Sequence, residues 1–167
     1  MRRRWLSFLD FVQHKRGSVR RCDERHSTGS VVPLGTFPPK HPPNVRVYLV
    51  EQSPTVARIL TDLIETADAI VVGCADNALQ AIADIGKLRP DAVTIDIALR
   101  EGTGLEVLRS LAGDYDQPPL RIVFSDFIAD EYQDAAQQLG AEYFLDKKKH
   151  INELLVALSA RWHLPRA

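Results

Sequence analysis

The sequence predicts an α/β protein in which a parallel sheet carries helices on both faces. Two observations point there. From residue 45 onward, short β-branched runs alternate with longer stretches whose apolar residues recur at helical spacing, and five of each can be counted. Strands that alternate with helices in this way are joined by crossovers and therefore run parallel. In addition, the chain has 167 residues and is 45% hydrophobic, which suits one real core with at most a short appendage.

The elements follow in order. Val45–Val50 reads as the first strand, and Ser53-Pro54 then offers an N-cap and a first-turn proline. Val56, Ile59, Leu60, Leu63 and Ile64 trace the apolar face of the helix that follows. Ala69–Cys74 is a second strand. Asp76 is placed to cap a helix holding Ala78, Leu79, Ile82, Ala83 and Ile85. After Pro90, the run ending at Asp96 is a buried strand, and Gly102-Thr103-Gly104 turns the chain into a helix around Leu105–Leu111. Leu120–Phe124 is the fourth strand, and a helix from about Ala129 to Leu139 stops at Gly140. Glu142–Leu145 is the fifth strand, before a last helix through about Arg161.

Residues 1–44 read differently. They lack sustained periodicity, are rich in Arg, Ser, Gly and Pro, and are expected to form a disordered basic extension, with the folded domain spanning 45–167. They carry nine Lys/Arg against three Asp/Glu, whereas the remainder carries twelve against nineteen. An acidic body disfavours direct DNA binding, because phosphate would be repelled. No apolar run is long enough to insert in a membrane, and Asp10 interrupts the apolar stretch that would make the start a secretion signal. Cys22 and Cys74 have no metal-ligand spacing and form no disulfide framework. Cys74 is expected as a buried, inert thiol, and the chain as a reduced, cytoplasmic protein.

Four side chains should meet at the carboxyl edge of such a sheet, where ligands gather in open α/β folds. Glu51 follows the first strand, Asp96 the third, Ser125 the fourth and Lys147 the fifth. Two acids can hold a hard divalent cation through oxygen. A hydroxyl and an ammonium can hydrogen-bond and neutralise a phosphoryl group, and a central carboxylate can attack phosphorus. Simpler roles fit some of these residues: Glu51 and Lys147 as an ion pair, Ser125 satisfying its loop, Phe144 as strand packing. In Lys147-Lys148-Lys149-His150, only Lys147 is expected to turn inward. The glycines near 102–104 do not make a dinucleotide fingerprint, and the histidines lack zinc-ligand pairing.

Residues 45–161 resemble the receiver domain of two-component response regulators. The resemblance is carried by Glu51, by Asp96 with Leu99 and Gly102-Thr103-Gly104, by Ser125, and by Gly140-Ala141-Glu142-Tyr143-Phe144-Leu145-Asp146-Lys147. It implies a flavodoxin-like, five-stranded sheet of order 2-1-3-4-5. It also implies that Asp96 is the phosphoacceptor, that Lys147 contacts the acyl phosphate, and that Ser125 and the aromatic Phe144 form a switch. Mg2+ would be held by Glu51, Asp96 and the backbone carbonyl of Ala98. Implied partners are a sensor histidine kinase or histidine phosphotransfer protein, and a downstream protein whose identity stays open. Few residues follow 161, so a stand-alone receiver is expected, signalling by protein contact and performing no catalysis beyond its own phosphorylation and dephosphorylation.

Departures from the family pattern define the alternative. Gln52 stands where a second acid usually ligates the metal, which weakens Mg2+ binding. Asp126 adds negative charge beside Ser125, and Lys148 replaces a common proline, so a trans bond is expected there. Arg100 also replaces a proline, with no role assigned. Gln52 and Asp126 favour a pseudo-receiver, a phosphorylation-independent interaction module. A flavin carrier or small α/β enzyme fits worse, because Glu51-Gln52 follows the first strand where a phosphate-cradling glycine loop would be needed.

Overall fold

The computed structural model describes residues 45–67, 69–113 and 117–162. The expectations for residues 1–44 lie outside them. Five strands and five helices alternate: β1 Arg46–Val50, α1 Pro54–Thr66, β2 Ile70–Ala75, α2 Ala78–Leu88, β3 Ala92–Ile95, α3 Gly104–Leu111, β4 Leu120–Ser125, α4 Asp130–Gln138, β5 Tyr143–Asp146 and α5 Ile151–Trp162. The strands form one parallel sheet in the order β2-β1-β3-β4-β5, as the resemblance implied.

Period-two alternation sends each strand's side chains into two cores. On one face, Tyr48 and Val50 of β1 pack with Ile85 of α2, Val107, Leu108 and Leu111 of α3, and Ala136 of α4. On the other, Val47 and Leu49 pack with Leu60 and Ile64 of α1 and Leu154, Ala157 and Leu158 of α5. The buried Tyr48 hydroxyl donates to Asp84 Oδ2 at 3.0 Å. Burial and this nearby carboxylate both push the phenol's pKa well above its ordinary value, so it stays a neutral donor.

The helix ends follow their local chemistry. Ser53 Oγ accepts from Val56 N–H at 3.4 Å, with Pro54 in the first turn of α1. The α2 cap is Asn77, whose Oδ1 accepts from Gln80 N–H at 2.9 Å, rather than Asp76 one residue earlier. Asp76 is engaged elsewhere, as described below. Gly140 takes φ +85°, and the N–H of Ala141 reaches back to Ala136 O at 2.9 Å, which ends α4 as the glycine signalled.

Two details position the carboxyl edge. β2 carries a bulge: Val47 pairs with Val71 and Tyr48 with Gly73, leaving Val72 unmatched. Gly104 opens α3 directly against the backbone below Asp96, and its N–H donates to Ile97 O at 3.0 Å. A Cβ at Gly104 would stand 2.1 Å from Asp96 O. Gly104→Ala is therefore expected to cost about 3 kcal/mol or more. Urea unfolding followed by circular dichroism measures it, and an unchanged midpoint would refute the close approach.

Candidate functional site

Because all five strands are parallel, the residues that follow them share one edge. Backbone bonds extend the sheet past the strand ends and fix those residues. Glu51 N–H donates to Ala75 O at 2.9 Å, Asp96 N–H to Val50 O at 2.9 Å, and Lys147 N–H to Ser125 O at 3.1 Å. The side chains converge on Asp96. Lys147 Nζ lies 2.5 Å from Asp96 Oδ2 and 2.6 Å from Glu51 Oε2. Ser125 Oγ, fully buried, donates to Asp96 Oδ1 at 2.7 Å and accepts from Phe127 N–H at 3.2 Å.

The remaining acceptors are also used. Asp96 Oδ1 takes the Ala98 N–H at 3.3 Å, and Glu51 Oε1 takes the Ser53 N–H at 2.8 Å. The side chains of Lys147, Glu51 and Asp96 are 10%, 3% and 5% exposed, so their charges meet with little screening by water. Burial alone would lower the Lys147 pKa. Hydrogen bonds and charge attraction from Asp96 and Glu51 together outweigh it, and the pKa is raised.

The rest of the rim sorts itself by charge. Lys148 and Lys149 point outward, 76% and 69% exposed, to Asp126 at 3.5 Å and Asp146 at 3.6 Å, so Lys147 alone of the three turns inward. The Asp126 charge next to Ser125 is thus faced by a lysine. The Lys147–Lys148 bond is trans, and Phe144 is half-buried against the α2–α3–α4 core. Gln52 is exposed.

Two expectations need correction. Cys74 is exposed, because β2 is an edge strand and the thiol borders an open groove lined also by Glu51, Gln52, Ala57 and Asp76. Partial burial of the thiol, with the negative charges of Glu51 and Asp76, raises its pKa and keeps it protonated. Arg100, given no role by the sequence, pairs with Asp76 at 2.9 Å and donates its N–H to Asp76 O, also at 2.9 Å. With Ala78 N–H donating to Glu101 O at 3.0 Å, these bonds stitch the loop after β3 to the loop after β2. The partners lie 24 residues apart, and no local pattern links them.

A buried carboxylate flanked by an ammonium and a hydroxyl, on a 2-1-3-4-5 sheet, agrees with comparison to known proteins. The family model of the response regulator receiver domain matches residues 47–159. The chain belongs to this family. The receiver is 33% identical over 104 residues to protein-glutamate methylesterase/protein-glutamine glutaminase 5 of Myxococcus xanthus, covering 62% of the chain and 30% of that protein. It is 32% identical over 105 residues to the DNA-binding transcriptional activator DevR/DosR of Mycobacterium tuberculosis, covering 62% of the chain and 48% of that protein. The chain thus spans less than half the length of either relative. Among solved structures, the response regulator domain of Thermotoga maritima CheB superposes with a TM-score of 0.65 at 24% identity, over 74% of this chain and 99% of that one. A LuxR-family response regulator from Aurantimonas gives 0.65 at 26% identity, over 71% and 85%.

Removing the receiver's buried ammonium leaves two carboxylates facing each other. Lys147→Met is expected to lose roughly 3–5 kcal/mol of stability at neutral pH in urea unfolding. The sign of the pH dependence follows from the raised Lys147 pKa. The ion pair's contribution is whole below the ordinary lysine value of 10.5 and disappears as pH climbs above it. Wild type and variant should therefore converge in strong alkali, and a gap that persists there would refute the assignment.

Proposed function

We propose that this receiver accepts a phosphoryl group on Asp96 from a phosphohistidine of a sensor kinase or phosphotransfer protein, and passes the signal on by protein contact. The observation that carries this reading is the Asp96 carboxylate, held between the Lys147 ammonium and the Ser125 hydroxyl at the open edge of the sheet. In the reaction a carboxylate oxygen bonds to phosphorus as the phosphorus–nitrogen bond of the donor breaks, and the imidazole leaves. Lys147 is placed to neutralise charge gathering on the phosphoryl oxygens, and Ser125 to donate a hydrogen bond to one of them. Phe144 would follow the hydroxyl as the second half of the switch.

The donors at this edge are hard oxygens and fit magnesium. Glu51, Asp96 and the Ala98 carbonyl would hold it, with the Gln52 amide a poor replacement for a carboxylate and water completing the shell. Bound there, the ion would shield the phosphoryl group from the acids. Because the Gln52 amide brings no negative charge, binding should be weak. A solved relative, CheX–CheY–BeF3–Mg+2 from Borrelia burgdorferi, shares the fold with a TM-score of 0.64 at 19% identity, over 70% of this chain and 87% of that one.

For output, Phe127, Ile128, Tyr143 and Val156 are exposed on or beside α4, β5 and α5, a surface suited to a protein partner. No helix among the described residues is long and apolar enough to cross a membrane. We place the protein in the cytoplasm, with its folded receiver at 45–167 and its basic extension at 1–44.

One observation favours a second reading, the pseudo-receiver. Lys147 already balances half of the charge of Glu51 and Asp96, and Gln52 stands where a third acid would be. The test is incubation of wild type and Asp96→Asn with a small phosphodonor, with and without magnesium, read by intact mass. Wild type should gain one phosphoryl group, faster with magnesium, while Asp96→Asn gains none. Equal lack of labelling in both would overturn phosphorylation and leave the interaction module.

A further inference from the structure

The turn that delivers Lys147 is closed by a side chain outside the proposed phosphoryl chemistry. β5 ends at Asp146 and α5 begins at Ile151, so Lys147 is aimed from a short connection. Within it, the Asp146 N–H donates to Nδ1 of His150 at 3.0 Å, and the His150 N–H donates back to Asp146 O at 2.9 Å. Lys149 N–H shares that carbonyl at 3.2 Å, and Lys148 N–H donates to Asp146 Oδ1 at 2.8 Å. The His150 carbonyl in turn accepts from Leu154 N–H at 3.1 Å, opening the hydrogen-bond ladder of α5. The imidazole thus ties the end of β5 to the start of α5, with Lys147 inside the loop it closes.

This tie exists in one protonation state. A ring nitrogen accepts a hydrogen bond only when it carries no proton, so the geometry requires the neutral ring protonated at Nε2. Histidine is the side chain that changes charge between about pH 5 and 8. Once Nδ1 is protonated, two N–H donors face each other. The carboxylate beside the ring works in the same direction. The Asp146 carboxylate feels the His150 charge and would draw an imidazolium toward itself, away from the backbone N–H. Lys149 is already paired with that carboxylate, and Glu153 adds negative charge in the first turn of α5. On the β4 side, Asp126 is taken by Lys148.

We propose that neutral His150 is a positioning residue that clamps the β5–α5 turn, and that a proton on Nδ1 releases the turn and draws Lys147 away from Asp96 and Glu51. The consequence for phosphorylation rests on Asp96 being the phosphoacceptor; the clamp itself does not.

The test uses the full chain, 15N-labelled, as wild type, His150→Asn and His150→Ala. Asparagine places Oδ1 where Nδ1 stands and does not titrate. The wild-type Nδ1 should be unprotonated while the turn is closed, and on titration with acid the Asp146 and Lys147 amide resonances should move together with the ring. In His150→Asn those resonances should stay put, and in His150→Ala they should resemble acidified wild type throughout. Labelling by a small phosphodonor, taken as the ratio of wild type to His150→Asn, should fall about threefold or more over the same titration. A protonated Nδ1 in the closed turn, amides indifferent to the ring's titration, or identical labelling profiles for the two proteins would each overturn the clamp. If no variant is labelled at any pH, the phosphoacceptor reading fails and the resonances alone decide the clamp.

Discussion

A single ammonium between two buried carboxylates governs the carboxyl edge of this receiver. Glu51 and Asp96 are both almost inaccessible, and two like charges in so dry a place would repel each other strongly. Lys147 reaches both and makes the arrangement tolerable. Such a buried trio stabilises a fold no better than apolar packing of the same volume. What it provides is concentrated charge where a strand end meets solvent, with the Ser125 hydroxyl already directed at the central acid.

Everything upstream of that contact is backbone geometry. Parallel strands bring four consecutive strand ends, far apart in the chain, to one line, and ladder bonds past the ends hold the first residue of each loop in register. Gly104 lets α3 start hard against Asp96, and the Asp76–Arg100 stitch ties two neighbouring loops together. The charged rim then divides labour, with Lys148 and Lys149 answering surface acids while Lys147 serves the interior.

Much of this was legible in the sequence, because strand composition and helical spacing are local signals. Ser53-Pro54 and Gly140 marked helix ends that the structure has, and the four strand-end residues were placed together correctly. What escaped was non-local or depended on which strand is an edge. Cys74 reads as buried because its run is apolar, yet β2 has a neighbour on one side only and the thiol is exposed. Asp76 looked like a cap because acids often are, but its carboxylate is drawn to Arg100, and Asn77 takes the cap instead. The imidazole that closes the β5–α5 turn left no signal, since a histidine before a helix is unremarkable without its geometry.

The bulge in β2 has a consequence for solubility. This outermost strand is a six-residue run, Ile70-Val71-Val72-Gly73-Cys74-Ala75, without charge or proline to discourage a foreign strand from annealing along it. The extra residue at Val72 breaks the regular repeat of donors and acceptors, so an incoming ribbon could match only part of the margin before falling out of phase. A misplaced residue thereby does the blunting that lysines perform on other sheets, and the molecule can keep an apolar border without inviting fibrous growth.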